Sequence, residues 1–344
     1  MIGSPIKIIA KRGKKMTTKR NKSVYSDVVV IGGASIDKTH FQREDGTYAT
    51  QPDIELYGGK GANQAIAAAR AGASTTFISL VGSDVYGEGI VKNLEVNGVD
   101  ASRICSVPMA SDASTIRVNY VTKDNEITRS NAAINSFTDA LIEENKDALL
   151  HAKYVVGQLK APKEFTVALI QFCWRNHKPL ALTACKPEKL AISDPANKEL
   201  IDKIDILFCN EHEAEVVFGT TDFVECVTAY PCKLVITRGE KGLLFHDGES
   251  VIELPAISTN VEDTTGAGDT LCGNVIAALC DGCTMLEALK RGVCAATLKI
   301  QKKGAQTGMP YDKELKAFIE ALKVASTVGD VVRKNGDEVL KHYI

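Results

Sequence analysis

Short, uninterrupted β-branched runs, each closing on a small or turn-forming residue and leading into a helical stretch, constrain this chain more than anything else in it. Val28–Ile31 stops at Gly32-Gly33, residues 76–81 stop at Gly82, 154–156 at Gly157 and 204–209 at Asn210, and Leu234–Thr237 runs into Arg238-Gly239. Strands with no polar alternation are buried on both faces, the condition of a parallel sheet. The intervening stretches 62–70, 87–97, 162–175, 211–218, 269–280 and 284–302 carry helical periodicity, and 312–323 predicts a last helix. This rhythm predicts an α/β fold: a doubly wound, mostly parallel sheet flanked by helices, with ligands beyond the carboxyl ends of the strands. Residues 54–57 and 115–120 alternate polar and apolar side chains and read as half-buried antiparallel strands outside that sheet. They predict a small β lid, near 39–57 and 114–128, whose apolar face must be covered by a ligand or a partner subunit.

Charge divides the chain unevenly. Residues 1–25 hold eight Lys and Arg and no acid, so the 41 basic and 43 acidic residues of the whole become 33 against 43 beyond that arm. A body that acidic is a poor partner for nucleic acid, whose binding draws on phosphate-neutralising Lys and Arg. The arm alone could touch RNA or an organelle import receptor. It lacks the Ser/Arg amphipathic pattern of a transit peptide and the apolar core of a secretory signal, so a disordered, solvated tail is expected, with Met16 available as an alternative start. No stretch approaches the roughly 18 apolar residues that a membrane span requires, and no membrane partner is expected. Ten cysteines lie scattered in apolar segments, the usage of reduced thiols in the cytoplasm. Cys280 and Cys283 form a lone CxxC whose Gly282 fits a helix-ending turn better than a metal site. Three stretches are expected: the arm 1–25, a single unit 26–325 and an extension 326–344.

Two glycine-rich turns carry the chemistry. Asp263-Thr264-Thr265-Gly266-Ala267-Gly268-Asp269 opens onto an apolar helix, so backbone N–H groups converge at its N-terminus and cradle phosphate. Asp269 then stands beside an anion hole, where it could take a proton from an attacking hydroxyl; as a first-turn acid it could equally serve the helix dipole alone. Gly58-Gly59-Lys60-Gly61-Ala62-Asn63-Gln64 permits close backbone approach to a small ligand, with Lys60 and Asn63 as donors suited to hydroxyls. GxxxxGK[ST], GxGxxG and HExxH are all absent. P-loop, dinucleotide-binding and zinc-protease chemistry therefore lack their signatures.

These turns, in this order and about 200 residues apart, resemble the ribokinase-like (PfkB) carbohydrate kinase family from roughly Asp27 to Pro310. Residues 58–65, 210–215 and 303–306 look most like its ribokinase branch. The resemblance implies transfer of the γ-phosphate of ATP to a sugar hydroxyl, D-ribose giving ribose 5-phosphate, with Asp269 as base and Gly266, Ala267 and Gly268 as the anion hole. It assigns Ser35, Asp37, Gly59, Lys60, Asn63 and Lys160 to the sugar, and Asn210, Thr237, Gly239, Gly242 and Gly268 to the nucleotide. Glu213 would hold Mg²⁺ through water, although Asn210 and Glu213 also have the spacing of a helix capping pair. Asp263 and Thr265, with carbonyls near Lys302 and Gly304, match a monovalent-cation loop, implying K⁺ as activator. A homodimer joined through the lid is implied as well.

Departures fall on the sugar side. Lys160 stands where the family carries a carboxylate, Thr183-Ala184-Cys185-Lys186-Pro187 replaces Asn-Pro-Ala-Pro, and Ser35 replaces an Asn. Reversing charge at position 160 leaves another pentose, a sugar acid or a nucleoside as alternative substrates. A sensor that binds sugar or nucleotide without turnover is the rival from another class.

Overall fold

The structure, a computed structural model, describes residues 25–119, 122, 125–328 and 343. The arm, apart from Tyr25, and most of the extension lie outside the described residues. Among the described residues thirteen strands form, β1 (Val28–Ile31), β2 (Ser35–Phe41), β3 (Ile54–Gly58), β4 (Thr75–Gly82), β5 (Asp100–Val107), β6 (Ala113–Val118), β7 (Asn125–Ser130), β8 (Tyr154–Gln158), β9 (Leu180–Thr183), β10 (Ile206–Asn210), β11 (Leu234–Thr237), β12 (Leu243–His246) and β13 (Val251–Leu254). Nine make one sheet in the order β13-β12-β11-β10-β9-β8-β1-β4-β5. It is parallel from β11 through β5, and β12 and β13 extend it as an antiparallel edge.

β1 shows why the pattern was so constraining. Val28 and Val30 pack into the core on one face, Val29 and Ile31 into the core on the other, and all four are at most 1% exposed. Burying each such side chain contributes about 1.5–3 kcal/mol, so no position in this strand, on either face, is free to be polar. Helices Lys60–Arg70, Ala267–Cys280 and Met285–Ile300 cover the first face; Lys163–Arg175 and Glu211–Phe218 cover the second. From β1 the chain builds outward to β4 and β5, then returns to β8 on the other flank, so the strand order reverses between β1 and β8. A crevice opens at such a switch point, beyond the carboxyl ends of the strands.

The lid is a separate sheet, β3-β2-β6-β7. Its outer pairs are antiparallel as expected, while β2 and β6 run parallel. That central pairing follows from the route of the chain: β2 leaves directly from the end of β1, and β6 returns only after β4 and β5 have been laid down.

Candidate active site

The site begins with a helix crossing. A Cβ on Gly273 would come 2.5 Å from Ala67 Cβ and 2.7 Å from Gln64 O, so helices Lys60–Arg70 and Ala267–Cys280 meet where no side chain fits between them. This contact brings Asn63 and Gln64 to Asp269, which is 6% exposed in the first turn of its helix. Asn63 Nδ2 donates to Asp269 Oδ2 and Gln64 Nε2 to Oδ1, both at 2.9 Å. Behind these amides stand two more, Gln306 Nε2 donating to Asn63 Oδ1 at 2.9 Å and Gln158 Nε2 to Gln64 Oε1 at 2.8 Å. Asn93 Nδ2 in turn donates to Gln306 Oε1 at 2.8 Å. Sequence reading assigned Asn63 to the sugar and gave Gln64, Gln158, Gln306 and Asn93 no role; the structure joins them in one frame around the carboxylate, buried except at its half-buried outer member Asn93.

Lys60, exposed at the first position of its helix, lies within the electrostatic field of this carboxylate. Attraction to Asp269 outweighs the cost of burial and raises its pKa, with Cys185 and Glu213 in the same field. Gly266 caps the helix with φ +80, a left-handed turn that favours glycine. Outside its own helix turn, no atom of the described residues lies within 4 Å of where a Cβ on Gly268 would stand. The N–H groups of this turn have no intrahelical partners; that of Ala267 donates back to Thr264 O at 3.1 Å, and an anion would draw on the others.

On the lid side, Ser35 is buried and Asp37 folds over Gly58, where a Cβ would lie 2.5 Å from Asp37 Oδ2. Gly59 is fixed by φ +92 and by Ala34 Cα, 2.6 Å from its would-be Cβ. Burial raises the Asp37 pKa above the usual carboxylate range, against the pull of Ser114, Lys160 and Arg129. Burial lowers the Lys160 pKa, against Asp112 and Cys185. The cation at position 160 therefore has acidic company, Asp112 and Asp37, inside the crevice. Sequence reading missed Asp112, Ser114 and Arg129 because only the lid pairing brings them near Asp37.

Beyond the Gly266 turn a cavity of about 710 Å³ is lined by Thr237, Gly239, Gly242, Ala267 and Gly268, with Ile257, Val261, Leu271 and Ile300 as apolar wall. Gly242, at φ +89, has Leu254 O only 1.9 Å from where its Cβ would be. Asn210 and Glu213 form the capping pair their spacing allows: Glu213 N donates to Asn210 Oδ1 at 2.8 Å and Asn210 N to Glu213 Oε2 at 2.9 Å. Among the described residues no group of three or more His, Cys, Asp or Glu side chains could hold a metal ion. A magnesium ion held mainly by phosphate and water needs no such cage.

The residues expected to form a monovalent-cation loop lie close together, with a cation among them. Asp263 Oδ1 accepts from Thr265 N and Oδ2 from Gly304 N, both at 2.8 Å, and Lys302 N bonds Lys299 O at 3.1 Å. Burial alone would raise the Asp263 pKa, but Thr265, Gly304 and Lys299 together hold it below the usual range. Inside the loop lies a group that sequence reading did not single out. The Lys299 side chain is 0% exposed, and its ammonium donates to Asp263 O at 2.6 Å and stands 3.9 Å from Oδ2. A potassium ion ligated by that carbonyl would press against a charge of its own sign, so the expected K⁺ does not fit. The signal was present: Lys299 continues the buried stripe Ala288, Gly292, Ala295 of its helix, where a charge needs a buried partner.

Comparison with known proteins agrees with this geometry. The chain is 32% identical over 302 residues to the ribokinase of Lactococcus lactis, covering 86% of this chain and 98% of that protein. It is 33% identical over 262 residues to the ribokinase of Bacillus subtilis, covering 76% and 87%. Among solved structures, Arabidopsis thaliana ribokinase complexed with ribose and ATP superposes with a TM-score of 0.75 at 26% identity, covering 86% of this chain and 99% of that one. The family model for pfkB carbohydrate kinases matches residues 26–312, both glycine turns and the lid included. An anion cradle, a buried carboxylate and a lid at the switch point of one sheet thus have a single reading: the chain belongs to the pfkB family and is a carbohydrate kinase.

Proposed function

We propose that this kinase is a ribokinase, transferring the γ-phosphate of ATP to D-ribose to give D-ribose 5-phosphate and ADP. The observation that carries the reading is the clamped, buried Asp269 beside open backbone N–H groups at one end of a 710 Å³ cavity. In this reading the sugar lies under the lid against Ser35, Asp37, Gly59 and Lys160, and the Asp37 carboxylate accepts from its hydroxyls. ATP fills the cavity, with Thr237, Gly239 and Gly242 near its phosphates. The attacking hydroxyl passes its proton to Asp269 as its oxygen forms the new bond to phosphorus and ADP leaves. Gly266, Ala267 and Gly268 present N–H groups to the transferring oxygens, and Lys60 adds a fixed positive charge where negative charge spreads. Mg²⁺, when bound, neutralises phosphate charge; Asn210 and Glu213 would hold its water. A closed lid keeps water from the phosphate.

Residues 26–325 are read as one kinase unit with its lid, flanked by the 1–25 arm and the 326–344 extension. The lid face supports a homodimer, and ten free thiols support a cytoplasmic location. Lys160 and Arg129 near Asp37 favour sugar acids as the second class to test.

The test is ADP release with Mg-ATP and D-ribose, set against other pentoses, hexoses, sugar acids and nucleosides. Ribose-dependent turnover should fall about 10²- to 10⁴-fold in Asp269→Asn. Turnover on another sugar alone would move the specificity, and binding without turnover on every compound would leave a sensor.

A further inference from the structure

We propose that Lys299 is a built-in replacement for a monovalent cation: its ammonium, held by the Asp263 carbonyl behind the Gly266–Gly268 turn, makes phosphoryl transfer by this chain independent of potassium. The inference rests on the kinase reading of the Asp269 turn but not on the identity of the sugar.

Position is the first argument. Lys299 is the penultimate residue of helix Met285–Ile300, so it stands at the helix C-terminus, where the dipole favours positive charge. It is nevertheless fully buried, a place where an ammonium persists only with close oxygen partners. Asp263 supplies one from its carbonyl at 2.6 Å, with its carboxylate charge 3.9 Å away.

Room is the second. A Cβ on Gly308 would stand 2.8 Å from Lys299 O, 3.2 Å from Lys302 O and 3.3 Å from Lys299 Cε. The lysine stem thus lies in a cleft lined by the same carbonyls that would surround an ion, and Gly308 keeps that cleft clear.

Connection to the chemistry is the third. Asp263 is tied to Thr265 N, and Ala267 N donates to Thr264 O at 3.1 Å, so the ammonium braces the turn whose amides form the anion hole. A free ion would have to be captured from solution; a tethered ammonium has a high effective concentration at the site. Its charge repels a second cation.

The experiment compares turnover, and the MgADP dissociation constant by calorimetry, in potassium and in tetramethylammonium at equal ionic strength. For the native chain both should change by less than about twofold, below the range of ordinary coupling between sites. Lys299→Ala should lose about 10- to 100-fold in turnover in tetramethylammonium and recover part of it when K⁺ or NH₄⁺ is added. Potassium activation of the native chain beyond that range would overturn the proposal. So would a Lys299→Ala enzyme that keeps full rate and ignores every cation. If the alanine variant shows no cooperative melt, Lys299→Met replaces it, and the cation response of the native chain decides the question by itself. Should no sugar support turnover, the calorimetry still reads the cation effect without one.

Discussion

At Asp269 chemistry dictates the orientation of every neighbouring amide. An ionised carboxylate only accepts, so Asn63 and Gln64 must turn their NH₂ groups toward it. Their oxygens then require donors, which fixes Gln306 and Gln158, and Gln306 in turn fixes Asn93. The series stops at Gln158 Oε1, which is buried without a hydrogen-bond partner among the described residues and wedged against Gly32, where a Cβ would lie 1.7 Å away. Gln64 acts through Asp269 rather than on substrate, so Gln64→Leu should lower kcat about 10- to 100-fold while the KM for sugar stays near its native value. Steady-state kinetics beside a melting curve checks this; a lower melting temperature at unchanged kcat would mean that Gln64 only supports the fold. Asp269 and its glycines were legible in the sequence because backbone and charge declare their role within seven residues. Gln158 and Gln306 were not, since their partners lie 94 and 243 residues away and nothing local marks an amide for that duty.

Among the elements, legibility followed how each one ends. Helix Glu211–Phe218 was placed to the residue because a capping pair opens it and Gly219, at φ +71, closes it. β5, β9, β12 and β13 escaped notice: β5 mixes polar and apolar residues, and none of the four closes on the glycine or asparagine that marked β1, β4, β8 and β10. The lid was legible as strands but not as a surface. Its register sets Leu56 opposite Asp37, Ile54 opposite Thr39, Thr39 opposite Ile116 and Ile116 opposite Ile127, all on the face that meets the sugar crevice. Ile54, Leu56 and Ile127 are 43%, 38% and 45% exposed there, an apolar strip that a second lid would cover. The native chain should therefore sediment as a dimer, and Ile127→Asp should weaken dimerisation by about tenfold or more. A native monomer at micromolar concentration would remove the dimer from the picture.

For the molecule as a whole, the arrangement of the sheet is what lets a sugar and a nucleotide meet. The reversal between β1 and β8 opens the crevice, and the turn before helix Ala267–Cys280 closes its nucleotide side. Because Asn63 and Asp269 are 206 residues apart, the site exists only once the two ends of the chain have met. Contacts of such separation form late, after loop-closure entropy has been overcome. The single tryptophan, Trp174, sits half-exposed on helix Lys163–Arg175 with Lys203 5.3 Å from its ring centre, and reports a much more local event. On dilution from denaturant, tryptophan fluorescence should regain its native value before enzymatic activity returns; simultaneous recovery would show that both ends dock in the same step. During synthesis the consequence is sharper: a nascent chain can fold most of its sheet while Asp269 is still missing, so the kinase stays silent until its last quarter emerges.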